Sequence, residues 1–174
     1  NKEIRQALKD YPYHNIKQVG KTGAGSQLAC YSKFPILSAR MLDYRSNYNG
    51  SMVYEIKIGK DTVLLINNHL ESNKLTREDK VVYEDMLKDP KAGKVKSGVR
   101  QLVNKLAEAS AIRSAQARTI AREIAHSPYP SVIVCGDFND SPISYAHRVI
   151  SQDMDDAFTE SGCGLGISYN QNKF

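Results

Sequence analysis

Two short apolar runs, each broken off abruptly by polar residues, constrain this 174-residue chain more than anything else in it. Val63-Leu64-Leu65-Ile66 runs into Asn67-Asn68-His69, and Val132-Ile133-Val134-Cys135 runs into Gly136-Asp137-Phe138-Asn139-Asp140. Unbroken apolar runs this short suit strands covered on both faces. Between them, over residues 99–126, Val99, Val103, Leu106, Ala109, Ile112, Ile120 and Ile124 recur at three- and four-residue steps or multiples of them, the spacing of a long helix. Strand, helix, strand is the order of one long crossover, and in open α/β sheets ligands gather at strand ends.

The rest of the chain adds strands ahead of that unit. Residues 27–31, 36–42, 51–58 and 62–69 read as strands, with Met52, Tyr54, Ile56 and Ile58 alternating as in a half-buried one. Gly59-Lys60-Asp61 has the polar brevity of a hairpin turn. Residues 4–8 form a short helix that closes before Pro12, and residues 20–25 form a flexible loop without the spacing of a nucleotide-phosphate loop. Residues 76–87 read as a helix with Thr76 as N-cap and Asp79 as its reciprocal partner. Gly93 and Gly98 bound an interruption before the long helix, and Ser127-Pro128-Tyr129-Pro130 ends it. A short helix over residues 145–150 and an irregular glycine-rich tail complete the chain. The expectation is one mixed α/β domain with an antiparallel hairpin region and one long crossover.

Composition excludes some classes outright. With 41% hydrophobic and 25% charged residues, the chain is neither disordered, collagen-like nor a membrane bundle. Lys plus Arg number 24 against 19 Asp plus Glu, a net charge of +5. That balance suits a phosphate-bearing partner, although many basic proteins have none. Lys88, Lys91, Lys94 and Lys96 oppose only Asp89 and read as a solvated loop. Cys30, Cys135 and Cys163 lack zinc-site spacing, and the first two pack as small hydrophobes. The ten tyrosines are scattered and read as core packing. The chain opens on Asn1 without a leader-like segment and reads as a processed or excised piece. Its compartment stays open between membrane-tethered, exported and cytoplasmic.

The chemistry sits at the two strand ends. In extended backbone, residues two apart point the same way, so Asp137 and Asn139 converge on one point. A carboxylate beside an amide suits an oriented water and a held oxyanion. The same spacing equally fits a turn in which either side chain bonds the backbone. His69, at the other strand end, is a residue type that donates to a phosphate oxygen or protonates a leaving group near neutral pH. A satisfied structural histidine is the competing reading.

Gly136-Asp137-Phe138-Asn139-Asp140 after an apolar strand is similar to the Gly-Asp-Phe/Leu-Asn signature of the endonuclease/exonuclease/phosphatase (DNase I-like) family. Asn68-His69-Leu70-Glu71-Ser72 resembles its Asn/Thr-His-Leu motif, and Tyr31-Ser32-Lys33-Phe34-Pro35-Ile36 its Ser-Lys/Arg-x-Pro-Ile turn. Asp156-Ala157-Phe158 followed by Gly166-Ile167-Ser168-Tyr169 is similar to the stretch after the Gly-Asp-x-Asn strand. The resemblance implies a four-layer α/β (α+β) sandwich, two mixed sheets face to face with helices outside. It implies phosphoester hydrolysis with Mg²⁺ or Mn²⁺, on nucleic acid, a lipid headgroup or another phosphoester. By motif, Asp137 aligns or deprotonates the attacking water and joins the metal region, with Asn139 holding a phosphoryl oxygen or the nucleophile. His69 binds the scissile phosphate, and Asn68 supports that substrate-binding site.

The departures from the family pattern matter as much. The family's early Asn, its Gln-Glu pair with the chief metal-ligating Glu, and its closing Ser-Asp-His motif have no counterpart between Asn1 and Phe174. Residues 1–174 therefore read as one partial, incomplete domain, an internal fragment that is itself inactive. Strand edges left unpaired by such a cut invite self-association. The alternative function is a non-catalytic binding module on the same fold.

Overall fold

In a computed structural model that describes residues 2–19, 26–44, 46, 48–88 and 93–164, the order is α1 (Lys2–Ala7), β1 (Tyr13–Gln18), β2 (Gln27–Ser32), β3 (Ile36–Met41), β4 (Gly50–Ile58) and β5 (Asp61–His69). Then follow α2 (Arg77–Lys88), α3 (Gly93–Ala125), β6 (Ser131–Asp137), α4 (Tyr145–Ile150) and α5 (Ala157–Ser161). The larger sheet is mixed, in the order β3-β4-β5-β6: β3, β4 and β5 are antiparallel neighbours, and β6 pairs parallel to β5 after the α2–α3 crossover. The smaller sheet is the antiparallel pair β1-β2. The expected loop over residues 20–25 and the Gly166–Tyr169 part of the last motif lie outside the described residues, as do Asp89 and Lys91.

Two apolar clusters hold the layers together. Between the sheets, Val19, Leu28 and Cys30 meet Met52, Tyr54 and Ile56. On the opposite face of the larger sheet, Val53, Leu64, Ile66 and Leu70 pack against Ala117 and Ile120 of α3 and Ala146 and Ile150 of α4. Sheet on sheet with helices outside is the α/β sandwich, and the described residues build three of its layers.

Several elements differ from expectation for physical reasons. β4 is the strand buried on both faces, because both clusters close on it: Met52, Val53 and Tyr54 are all 2% exposed or less. β6 is not covered on both faces, since Ile133 is 52% exposed and Cys135 is exposed. Cys30 packs in the core as expected; Cys135 does not. The segment beginning at Gly93 does not interrupt α3 but starts it. Gly98 is there for contact, since a Cβ would lie 2.8 Å from Val82 Cγ1 where α3 meets α2. β1 carries no apolar pattern and exists through its ladder with β2. Tyr54 is buried, but Tyr11, Tyr13, Tyr48, Tyr83 and Tyr145 are exposed and do not pack as core.

The capping box of α2 forms as the sequence implies: Thr76 N–H donates to Asp79 Oδ2 at 2.8 Å, and Asp79 N–H to Thr76 Oγ1 at 3.3 Å. Lys105 of α3 then reaches the same Asp79 carboxylate at 2.6 Å, tying the two helices together.

α5 was not foreseen, and Asp156 explains it. Asp156 caps the helix by accepting from Phe158 N and Thr159 N, and its other oxygen meets His147 Nε2 of α4 at 2.7 Å. The His147 bond, with the two amides, holds the Asp156 carboxyl below its ordinary value. A depressed folded value means the stabilisation is present above the unfolded value and is lost as pH falls through the folded one. The Phe158 and Thr159 amide signals are therefore expected to lose their capped positions in an NMR titration below about pH 4, ahead of the core. Asp156→Asn, which keeps the cap, should flatten that response; an unchanged titration in this variant removes the explanation.

Candidate functional site

The site is built by the parallel pairing of β5 and β6. The register sets Asn67 opposite Cys135, Asn68 opposite Gly136 and His69 opposite Asp137. Neighbouring strands lie about 4.8 Å apart, so His69 and Asp137 are cross-strand backbone neighbours at the two strand tips. The ladder runs one step further, with Leu70 N–H donating to Asp137 O at 2.9 Å.

Gly136 allows this close approach. Its φ is +130°, and a Cβ there would sit 2.0 Å from Asn68 O and 2.6 Å from Asn68 N. After it the chain turns sharply. Asp137 Oδ1 accepts from Asn139 N–H at 3.0 Å, Asn139 takes the left-handed φ of +50°, and Asn139 Nδ2 donates to Leu70 O at 3.0 Å. Of the two readings the spacing left open, the backbone-bonding turn is the one that forms, and with Asn139 left-handed the extended backbone on which the convergence of the two side chains rested is broken there. Among the described residues, no hydrogen bond engages Asp137 Oδ2 or the His69 ring.

Asn68 faces the other way, 1% exposed beneath the strand tips. Its Oδ1 accepts from Ser51 Oγ of β4 at 2.5 Å, and its Nδ2 donates to Cys135 O at 2.9 Å and Ile66 O at 3.3 Å. Ser51 in turn meets the Tyr44 hydroxyl at 2.7 Å, and burial pushes that phenol up to about 12. One amide therefore stitches β4, β5 and β6 together immediately below His69 and Asp137.

Beyond His69 the chain enters a buried polar cluster that sequence reasoning missed. Glu71 is 2% exposed, with Ser46 Oγ at 2.9 Å and Lys74 Nζ at 2.6 Å from its carboxylate. That bond to Glu71 raises the Lys74 ammonium above its ordinary value. Glu71 N–H donates to Gln116 Oε1 of α3 at 3.0 Å. Arg113, 4% exposed, donates from Nη1 to Glu71 O at 2.9 Å and Asn73 Oδ1 at 2.8 Å, and from Nε to Asp140 Oδ2 at 2.9 Å. The available signal was Arg113 and Gln116 on the helical stripe of Ala109 and Ile120, where apolar residues were expected. A cavity of about 460 Å³ beside this cluster is lined by Tyr44, Glu71, Lys74 and Gln116 among others, and one of about 410 Å³ lies between β6, α4 and α5. His69, Asp137 and Asn139 line neither; they stand at the open strand tips.

The earlier motif, Tyr31-Ser32-Lys33-Phe34, forms a tight turn after β2 in which Phe34 N–H donates to Ser32 Oγ at 2.9 Å. Its role is to turn the chain from the small sheet to the large one.

A family profile described as Endonuclease/Exonuclease/phosphatase family matches residues 1–172. The chain belongs to that family. Comparison with curated protein sequences returns no match. Among solved structures, sphingomyelinase C from Streptomyces griseocarneus is similar at 18% identity and a TM-score of 0.57, over 87% of this chain and 51% of that one. A variant of beta toxin from Staphylococcus aureus with bound magnesium ions is similar at 16% identity and a TM-score of 0.57, over 86% and 50%. Humanized D. rerio TDP2 is similar at 14% identity and a TM-score of 0.51, over 88% and 49%. The chain spans about half the length of these structures. At such identities the likeness speaks for the DNase I-like fold, and the family match for kinship with phosphoester hydrolases.

The donor set at the tips bears on a divalent cation. Hard cations take oxygen ligands, and Mg²⁺ keeps several waters beside one or two carboxylates and substrate phosphates. By chemistry, a carboxylate oxygen of Asp137 and the amide oxygen of Asn139 are of the donor type such a shell takes. Among the described residues no group of three or more His, Cys, Asp or Glu side chains converges on one point. Asp137 and Asn139 offer donor types that suit such a cation, in smaller number than a closed site needs.

Proposed function

We propose that these residues form the phosphate-binding and water-orienting part of a metal-assisted phosphoester hydrolase. The observation that carries the reading is the register that sets His69 beside Asp137. His69 donates a hydrogen bond to a phosphoryl oxygen as negative charge builds there, and Asp137 Oδ2 accepts a proton from the attacking water or orients it. Asn139, already anchored through Nδ2 to Leu70 O, has its amide oxygen left for water or cation. Asn68 acts from below as support, since its amide is engaged within the sheet. Asp137 and Asn139 would hold Mg²⁺ or Mn²⁺, which when bound neutralises charge on the phosphoryl oxygens and eases loss of the leaving oxygen.

The substrate class is a phosphoester of nucleic acid or of a lipid headgroup. With no metal-holding group of three or more His, Cys, Asp or Glu side chains among the described residues, the 174-residue chain alone turns such esters over negligibly, because removing members of a cooperating constellation removes most of the rate. The test has two arms on the purified chain. In the first, inorganic phosphate is titrated with and without Mg²⁺ while the His69 ring and Asn139 amide signals are followed by NMR. Selective shifts at both residues are expected, and their absence would refute the site. In the second, hydrolysis of DNA, RNA, sphingomyelin and phosphoinositides is followed with and without EDTA. Turnover near background is expected, and robust Mg²⁺-dependent turnover would refute the claim of negligible activity.

A further inference from the structure

We infer that Arg113 is a positioning residue that fixes the His69 segment against the Asp137–Asn139 turn. This rests on the proposed function, because only there does the spacing of these groups matter. Arg113 lies on the buried stripe of α3 with Ala109, Ala117 and Ile120. A buried ion pair at such a place is by itself weak evidence of a stabilising role, since apolar residues of similar volume often serve as well or better. The geometry supplies a different reason for it.

The guanidinium closes a ring of bonds around the strand tips. Leu70 donates its N–H to Asp137 O and accepts from Asn139 Nδ2 through its own carbonyl. The next carbonyl, Glu71 O, accepts from Arg113 Nη1, and Arg113 Nε grips Asp140 Oδ2, on the residue after Asn139. A third bond, to Asn73 Oδ1, carries the clamp along the segment after β5. The turn so held contains a non-glycine residue at φ +50°, a conformation that persists only where its surroundings over-determine it. A planar fork reaches several acceptors at fixed angles. Lysine, a point charge on a flexible stem, does not.

The experiment is native-state hydrogen exchange and NMR on the full 174-residue chain without phosphate, so a phosphate titration that shifts neither His69 nor Asn139 bears on the proposed function alone. Arg113→Lys and Arg113→Met are compared with Leu102→Ala, a buried change on the same helix, with denaturant adjusted to equal global stability. In both Arg113 variants, exchange at Leu70 N–H is expected to rise about tenfold above the Leu102→Ala protein through local opening, and the Asn139 Nδ2 protons to lose their bonded shifts. Charge retention in Arg113→Lys should not rescue either signal. If Arg113→Met fails to fold, Asp140→Asn weakens the same bridge and should raise Leu70 exchange in the same direction. Leu70 exchange and Asn139 shifts that simply follow global stability in every folded variant would overturn the assignment.

Discussion

Gly136→Ala is expected to destabilise the fold by about 4 kcal/mol, in the range reserved for severe backbone or core defects. Two costs combine at this residue. The φ of +130° is one that L side chains rarely adopt, and the new Cβ would lie 2.0 Å from the carbonyl oxygen of Asn68. The obstacle is backbone, so no rotamer change relieves it. β6 must instead move away from β5 where His69 and Asp137 pair. For a domain of this size the melting temperature should drop by about 12 °C. The phosphate-induced shifts of His69 and Asn139 should vanish as well, because the two strand tips part. Calorimetry reads the first effect and the phosphate titration the second. A variant that melts within 2 or 3 °C of the parent, roughly what a surface substitution does, would show that the approach at residue 136 is not tight.

How much of this was legible beforehand varies element by element. β5 and the start of β6 were visible because short apolar runs ended by polar residues are strong punctuation. α2 was visible because Thr76 and Asp79 satisfy each other's backbone donors locally, with no help from the rest of the fold. β1 was invisible: its residues are largely polar and exposed, and only pairing with β2 makes them a strand. The apolar run in β6 implied cover on both faces, but run length reports hydrophobicity and not what lies opposite, and Ile133 stands half exposed.

For the site, the strand-tip residues could be named from two motifs, whereas the residues that hold them could not. Arg113 and Gln116 lie on a helix face that apolar spacing assigned to core, and the apolar stripe drawn instead included Val103, which is 55% exposed. A sequence window cannot reveal that the core of this layer turns polar near the strand tips. That change depends on Glu71 and Asp140 arriving from 42 residues before and 27 residues after Arg113. Asn68 illustrates the same limit, since its neighbour His69 points to chemistry while its own side chain faces Ser51 and Cys135 O.

Asn68→Leu is the sharper probe of that hidden support. Leucine has about the right bulk but no donor or acceptor, so Cys135 O and Ile66 O lose a side-chain partner, and Ser51 Oγ, in a residue 0% exposed, loses its acceptor. Unsatisfied buried groups cost about 1–3 kcal/mol each, and part of this is offset where Ser51 keeps Tyr44 and the carbonyls keep their ladders. A net loss of about 3 kcal/mol follows, or about 9 °C in melting temperature. Exchange should localise the damage: the amides of β6 should open before those of the β3–β4 pair, because the lost bond to Cys135 O is the one that crosses from β5 to β6. His69 keeps its place in the chain but not its register with Asp137, so phosphate should perturb the two residues independently or not at all. Uniform loss of protection across the larger sheet, with the phosphate response intact, would mean that Asn68 contributes packing alone and that the register of the strand tips is held elsewhere.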